Sequence, residues 1–288
     1  MSKIIVIVGP TGVGKTKLSI ELSKIYNAEI INGDSIQIYK ELNIGSAKVT
    51  EEEKENIPHH LFDIKEVTED YSVYDYQKDC RKKIKEIQSR GKNVIIVGGT
   101  GLYIKAALYD YKFEEEKHKI NNYENYSNDE LYELLLKKYP DTDIHKNNRK
   151  RVIRALNKTS ETTVTDKLLY DAIFIGLTTN RENLYKIINN RVDKMINNGL
   201  LEETKNLYDN NIRSKAIMTG IGYKELYKYF DEEINLEEAI ELIKKNSRRY
   251  AKRQYTFFNH QLKINWFDVD YINFTNTINY IKKFIDNN

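Results

Sequence analysis

The run Gly9-Pro10-Thr11-Gly12-Val13-Gly14-Lys15-Thr16 fits the spacing GxxxxGK[ST], and that spacing is built to hold phosphate. Glycines let successive backbone N–H groups turn inward around phosphate oxygens, Lys15 adds a point charge, and the Thr16 hydroxyl is a ligand for Mg²⁺. The motif needs a buried strand before it and a helix N-terminus after it. Both are present: Ile4 to Val8 is a continuous apolar run, and Lys15 to Tyr26 carries Leu18, Leu22 and Ile25 at helical spacing. Kinases, ATPases and GTPases all use such a cradle, so it does not identify the phosphate compound. A hydrolytic ATPase usually ends a neighbouring strand on an acid that holds Mg²⁺. Here the best candidate, Val94 to Val97, runs instead into Gly98-Gly99-Thr100-Gly101, which weakens that reading and leaves a small-molecule kinase open.

Asp34 follows another short apolar run, Glu29 to Ile31, at the edge of the cradle. An Asp in that place can accept a proton, cap a turn or hold a Mg²⁺-bound water. Thr100 lies at the carboxyl end of a strand, where ligands of open α/β sheets bind, although the glycines around it also suit a plain tight turn. His59 and His60 are adjacent, share no helix face and have no evident third ligand, so they read as loop structure near a substrate channel. Cations cluster twice. Lys146, Arg149, Lys150, Arg151, Arg154 and Lys158 fall in a stretch without an acid, with Arg151 and Arg154 on one helical face; Arg248, Arg249, Lys252 and Arg253 lie on a long helix. Both clusters suit nucleic-acid phosphates, and either alone also suits a solvated face. With 22 tyrosines in the chain, no single one argues for base stacking.

The elements that must position these groups alternate. Apolar runs at Ile4–Val8, Glu29–Ile31, Val94–Val97 and Ala172–Leu177 are separated by helical patterns such as Tyr74 to Arg90, which predicts an α/β fold with a doubly wound parallel sheet. Between Tyr111 and His145 the chain turns acidic and Asn-rich around one helical stretch, Asp129 to Lys138, so an inserted helical lobe is expected at 111–145. Core segments at 1–110 and 146–288 flank it, the latter with basic helices and a helical C-terminal part. Leu184, Ile188, Val192 and Met195 share one helix face that Gly199 ends. Asn235 with Glu238 opens a long helix, and Ile264 to Phe267 is a last strand. A length of 288 residues with 40% apolar content allows one main core and a smaller unit. The net charge of +3 is too small to argue for nucleic acid without the clustering. Cys80 is the only cysteine, which excludes an internal disulfide and a CxxC zinc site and fits the cytoplasm. The first apolar run is too short to span a membrane and lacks the pattern of a signal peptide.

Taken in order, several segments resemble the tRNA dimethylallyltransferases, also called tRNA isopentenyltransferases. They are Gly9 to Thr16, Asp34-Ser35-Ile36-Gln37-Ile38-Tyr39, Ile44 to Lys48, Pro58 to Ile64, Gly98 to Tyr103, Arg151 to Leu156, Ile221 to Glu225 and Arg248 to Gln254. A kinase would share only the first. The resemblance implies a P-loop NTPase-like core and transfer of dimethylallyl from its diphosphate to N6 of the adenosine immediately 3′ of the anticodon, in tRNAs reading codons that begin with U. It implies that Gly9, Pro10, Thr11, Gly12, Val13, Gly14, Lys15 and Thr16 hold the donor diphosphate with Mg²⁺ on Thr16. Asp34 is then the base for the N6 proton, Thr100 stands beside the reacting carbon and bridging oxygen, and Ser35, Ile36 and Gln37 touch the target base or its neighbours. Lys150, Arg151, Arg154, Arg248, Arg249, Lys252 and Arg253 would hold the tRNA anticodon stem-loop, and the enzyme is expected to work as a cytoplasmic monomer. The lobe is shorter than the family pattern and has His118 and Lys119 where a tRNA-touching arginine is expected, and Thr219-Gly220 also departs from it. Rival readings are a nucleotide kinase, an adenylate isopentenyltransferase acting on a free nucleotide, and a non-catalytic RNA-binding protein.

Overall fold

The computed structural model describes residues 3–113, 123–157 and 164–288. In chain order, β1 (Ile4–Val8) leads through α1 (Lys15–Tyr26) to β2 (Ala28–Asn32) and β3 (His59–His60), then α2 (Val73–Ser89), β4 (Asn93–Val97), α3 (Gly101–Leu108) and β5 (Tyr109–Tyr111). Next come α4 (Asn128–Lys138), α5 (Arg149–Asn157) and β6 (Val164–Leu168). β7 (Ala172–Thr178) is followed by α6 (Arg181–Asn197), α7 (Leu200–Asp209), α8 (Lys215–Thr219), α9 (Tyr223–Phe230), α10 (Leu236–Gln261), β8 (Asn265–Asp268) and α11 (Phe274–Asp286).

Neither side of β1 is offered to water, because its alternate residues enter two separate cores. Ile4, Val6 and Val8 join Ile31, Val94 and Ile96 under α2 and α3, whereas Ile5 and Ile7 join Ile30, Ile95, Ile175 and Leu177 under α1 and α11. The sheet between them has the order β3-β2-β4-β1-β7-β8, with the paired strands parallel. Parallel strands covered on both faces are expected to be apolar throughout, as these are. The order also sets the site: β2, β4, β1 and β7 lie side by side, so the turns after Asn32, Val97, Val8 and Thr178 open at one edge. The two histidines correct the sequence reading. His59 and His60 form a short edge strand paired with Ile30 and Ile31, and a two-residue strand carries no periodicity by which to recognise it.

Helix ends follow their local chemistry. Ser72, Ser127 and Asn235 each close a capping box with the acid three residues on. Gly199, at φ 99°, stops α6 and also serves as the N-cap of α7.

The chain divides into one unit of residues 1–109 and 167–288 and a second of Asp110–Asp166. The second unit runs further than the lobe expected at 111–145 and takes in α5, which lies in the 146–288 segment expected to belong to the core. The reason is packing: Val152 and Leu156 complete a small cluster with Leu131 and Leu135 of α4, and Lys138 Nζ donates to Leu156 O at 2.8 Å. His118, Lys119 and Lys158 lie outside the described residues.

Candidate active site

The loop after β1 enters α1 through Gly14, whose φ of 91° is left-handed and whose absent side chain leaves room for the Phe274 ring, 2.9 Å from where a Cβ would stand. Thr11, Gly12, Gly14, Lys15 and Thr16 line a cavity of about 770 Å³, whereas Val13 is buried in the core. Gly9 and Pro10 stand behind the cavity lining, and the Pro10 carbonyl accepts from Lys15 Nζ at 2.7 Å. Burial first, and then the nearby Arg191 charge, lower the Lys15 pKa to about 7 against the opposing charge of Asp34.

Arg191 was not foreseen. It projects from α6 into the same cavity, and its buried Nε has no acceptor among the described residues. A guanidinium keeps its charge even where burial lowers its pKa, so beside Lys15 the cavity holds a lasting cation, opposed by the charges of Asp34 and Glu53. One signal was available in the sequence: Arg191 interrupts the apolar stripe of Leu184, Ile188 and Met195 at helical spacing.

Across the cavity, buried Asn32 fixes the turn that carries Asp34. Its side chain accepts from Asp34 N at 2.8 Å and donates to Asp34 O and Leu61 O. Asp34 Oδ1 accepts from Ile36 N at 3.0 Å, while Oδ2 has no hydrogen-bond partner among the described residues. The two sequence roles therefore divide between the oxygens: one caps the turn and the other is left for a proton. Thr100 stands behind this turn, outside the cavity lining, accepting from Ser35 N at 3.0 Å and donating to Ser35 Oγ at 3.2 Å. Ser35, Ile36 and Gln37 all line the cavity. Tyr250 and Gln254, also unforeseen as individual residues, close it from α10 by donating to Gly99 O, at 3.4 and 3.0 Å. Burial and the charge of Asp34 hold the Tyr250 hydroxyl protonated well above its ordinary range.

The cavity lining also has an apolar part, to which Ile20, Val49, Phe62, Ile188, Met195 and Ile221 contribute. His59 reaches the lining, with burial lowering its pKa, and so does the departing pair Thr219-Gly220. Among the described residues no group of three His, Cys, Asp or Glu is arranged to hold a metal.

The cations of α10 separate. Arg253 reaches the cavity edge, Arg249 and Lys252 are exposed, and Arg248 donates to Asn189 Oδ1 at 2.6 Å beside the Tyr185 ring. In the second unit Lys150, Arg151 and Arg154 are exposed on α5, and Arg151 lies 3.6 Å from Asp143. Arg149 is structural, donating to the carbonyls of Tyr123 and Tyr126.

Residues 37–261 match the family model described as IPP transferase. The tRNA dimethylallyltransferase of Anoxybacillus flavithermus is 50% identical over 99% of this chain and 96% of its own length. Among solved structures, a tRNA delta(2)-isopentenylpyrophosphate transferase from Staphylococcus epidermidis superposes with a TM-score of 0.78 at 41% identity, covering 100% of this chain and 99% of the other. A eukaryotic dimethylallyltransferase acting on tRNA gives 0.79 at 33% identity, over 93% of this chain and 74% of that one.

Proposed function

Because this chain belongs to the IPP transferase family, we propose that it moves the dimethylallyl group of dimethylallyl diphosphate to N6 of the adenosine immediately 3′ of the anticodon, in tRNAs reading codons that begin with U. One observation carries the reading at the level of chemistry. A single cavity holds a cationic cradle at Lys15 and Arg191, an apolar wall, and a carboxylate with one oxygen free.

An exocyclic adenine amine is a weak nucleophile, so the transfer needs a good leaving group and a proton acceptor. The diphosphate sits against the N-terminus of α1, Lys15 and Arg191, which stabilise the charge it gains as its bridging oxygen parts from the allylic carbon. N6 bonds to that carbon and passes its proton to Asp34 Oδ2. The apolar wall takes the hydrocarbon and keeps water from the developing allyl cation. Thr100 holds Ser35 and through it the Asp34 turn; a contact with the bridging oxygen requires its hydroxyl to leave Ser35 Oγ. A base stacked in an anticodon loop cannot reach Asp34, so the adenosine is flipped into the cavity, past Ser35, Ile36 and Gln37.

Mg²⁺ fits the donor set on one condition. Thr16 offers a single hydroxyl, too few ligands for a cage of protein alone, which suits a cation bound chiefly by the substrate's phosphates. When bound it would neutralise diphosphate charge.

The exposed cations of α5 and α10 suit the anticodon stem-loop. Replacing Arg151 and Arg154 together by Ala is expected to weaken RNA binding and to flatten the plot of log affinity against log salt by up to about one unit per lost phosphate contact. Fluorescence titrations across a salt series measure this, and an unchanged slope removes these two residues from the RNA surface.

Donor binding should take up protons. In the free protein Lys15 titrates at about 7, and a bound diphosphate stabilises its charged form. Above that pH a neutral Lys15 must gain a proton to pair. Donor affinity therefore falls as pH rises, by up to about tenfold per unit, until the pKa of the complex is passed. Calorimetry at about pH 8 in buffers of differing ionisation enthalpy should show uptake approaching one proton per donor. Proton release would contradict the assignment.

No helix among the described residues is long and apolar enough to cross a membrane. We place the enzyme in the cytoplasm, with tRNA, acting as a monomer because one chain supplies the whole cavity. The deciding experiment incubates the protein with dimethylallyl diphosphate, Mg²⁺ and unmodified tRNA, and analyses digested nucleosides by mass spectrometry. Prenylated adenosine and released diphosphate are expected without ATP. Prenylation of free AMP alone would make it an adenylate isopentenyltransferase, and ADP formation a kinase.

A further inference from the structure

The segment between β2 and β3 forms one wall of the cavity through Gln37, Gly45, Ser46, Ala47 and Val49. It has little regular structure and carries four non-glycine residues in the left-handed region, among them Glu41 at φ 66° and Ala47 at φ 46°. Such a conformation persists only when its surroundings hold it. The grip comes from far along the chain. The Glu203 carboxylate, on α7, accepts from three successive amides, Asn43 N at 3.0 Å, Ile44 N at 2.8 Å and Gly45 N at 3.1 Å, and from Tyr223 Oη at 2.7 Å. Successive N–H groups converging on one point form an anion-binding nest, and here the anion is a side chain of the same protein. Tyr223 is wholly buried, and its ring lies 2.6 Å from where a Cβ on Gly45 would stand, so the loop closes directly onto it.

Beyond the nest, the Ser46 and Ala47 carbonyls accept from Gln37 Nε2 at 3.0 and 3.3 Å. Two carbonyl acceptors settle which end of the amide is nitrogen and leave Oε1 free of them. We propose that Glu203 is a positioning residue for RNA: through the loop at 43–47 it fixes the orientation in which Gln37 meets the base entering the cavity. Glu203 itself stays outside the lining. Lys48 ties the same loop independently, donating to Tyr39 O and Asn43 Oδ1 and pairing with Asp63, so loss of Glu203 loosens the loop without releasing it. The proposal rests on the reading that this cavity prenylates RNA.

The test compares Glu203→Ala, Glu203→Gln, Gln37→Ala and the Glu203→Ala/Gln37→Ala double variant in single-turnover transfer to an anticodon stem-loop RNA, alongside donor binding. Glu203→Ala is expected to lower kcat/KM for RNA roughly ten- to hundredfold, the scale of a misplaced recognition group, with donor affinity unchanged. The double variant should be no worse than the poorer single variant, because both break one relay. Glu203→Gln keeps the size and one acceptor, so a smaller loss in the same direction is expected, with faster amide exchange at 43–45 and none at the phosphate loop. If Glu203→Ala does not fold, the Gln variant carries the test by exchange and kinetics. Multiplicative losses, a parallel fall in donor binding, or an inert Gln37→Ala would overturn the proposal. Wild-type protein that fails to prenylate RNA would overturn the functional reading instead, while the exchange measurement would still report the clamp.

Discussion

Asp34→Asn should slow the chemical step by roughly 10²- to 10⁴-fold, the range for removal of a general base, while leaving RNA and donor binding near normal. The geometry makes this a clean substitution. Asp34 is held by its backbone N–H on Asn32 and by Oδ1 on Ile36 N, and an amide oxygen in the Oδ1 place preserves both bonds. The change falls at Oδ2, the oxygen without a partner, where an NH₂ group cannot take a proton. Single-turnover rates on preformed complexes separate chemistry from product release, and a fall in kcat without a matching rise in KM marks an interaction made in the transition state. Near-normal turnover would remove Asp34 as the base. A collapse of donor binding would move it to the Mg²⁺ shell. Asp34→Ala should be no less damaging to the rate but harder to interpret, since it also frees the Ile36 amide and lets the turn relax.

Much of this site is legible in the sequence because its parts are local. The phosphate loop is contiguous, Asp34 follows its strand directly, and a buried parallel strand leaves an unbroken apolar run that needs no partner to be recognised. What is not legible depends on contacts between distant segments. Arg191 sits well over a hundred residues from the lysine it faces, and its place on the apolar stripe of α6 marks it as unusual without saying what it meets. Its meaning comes from the burial of its Nε beside Lys15, which the chain's folding creates. Glu203 and Gly45 show the same limit, since nothing near either announces a nest. The partner of α5 is not legible for a related reason: only two buried residues, Val152 and Leu156, dock it on α4, too few to fix a partner from the sequence. The assignment of Thr100 is more instructive. A hydroxyl at a strand's carboxyl end is well placed for a ligand, yet in this structure it is engaged with Ser35.

Lys15→Ala should cut donor affinity roughly 10²- to 10³-fold, on the scale seen when one partner of a buried charge pair is truncated. RNA binding should persist, because the exposed cations of α5 and α10 do not depend on the cradle. The same substitution should raise the Tm of the donor-free protein. Lys15 is half-buried and desolvation lowers its pKa, so in the fold its charge is worse off than in the unfolded chain, and it faces the like charge of Arg191. The sign follows from linkage: the unfolded chain holds this proton more tightly, so the penalty is full below about pH 7 and fades as pH rises toward the ordinary lysine range. The gain in Tm should therefore be larger at pH 6.5 than at pH 9, to take two working points on either side of about 7. Arg191→Gln completes the argument. It should also weaken the donor, by roughly 10- to 10²-fold for lost charge-assisted hydrogen bonds. By removing the neighbouring cation it should also raise the Lys15 pKa, moving the onset of proton uptake to higher pH. A donor affinity indifferent to both substitutions would place the diphosphate elsewhere. Weakened binding with no change in Tm or in proton uptake would keep the site but show that Lys15 is not the strained, half-deprotonated group assigned here.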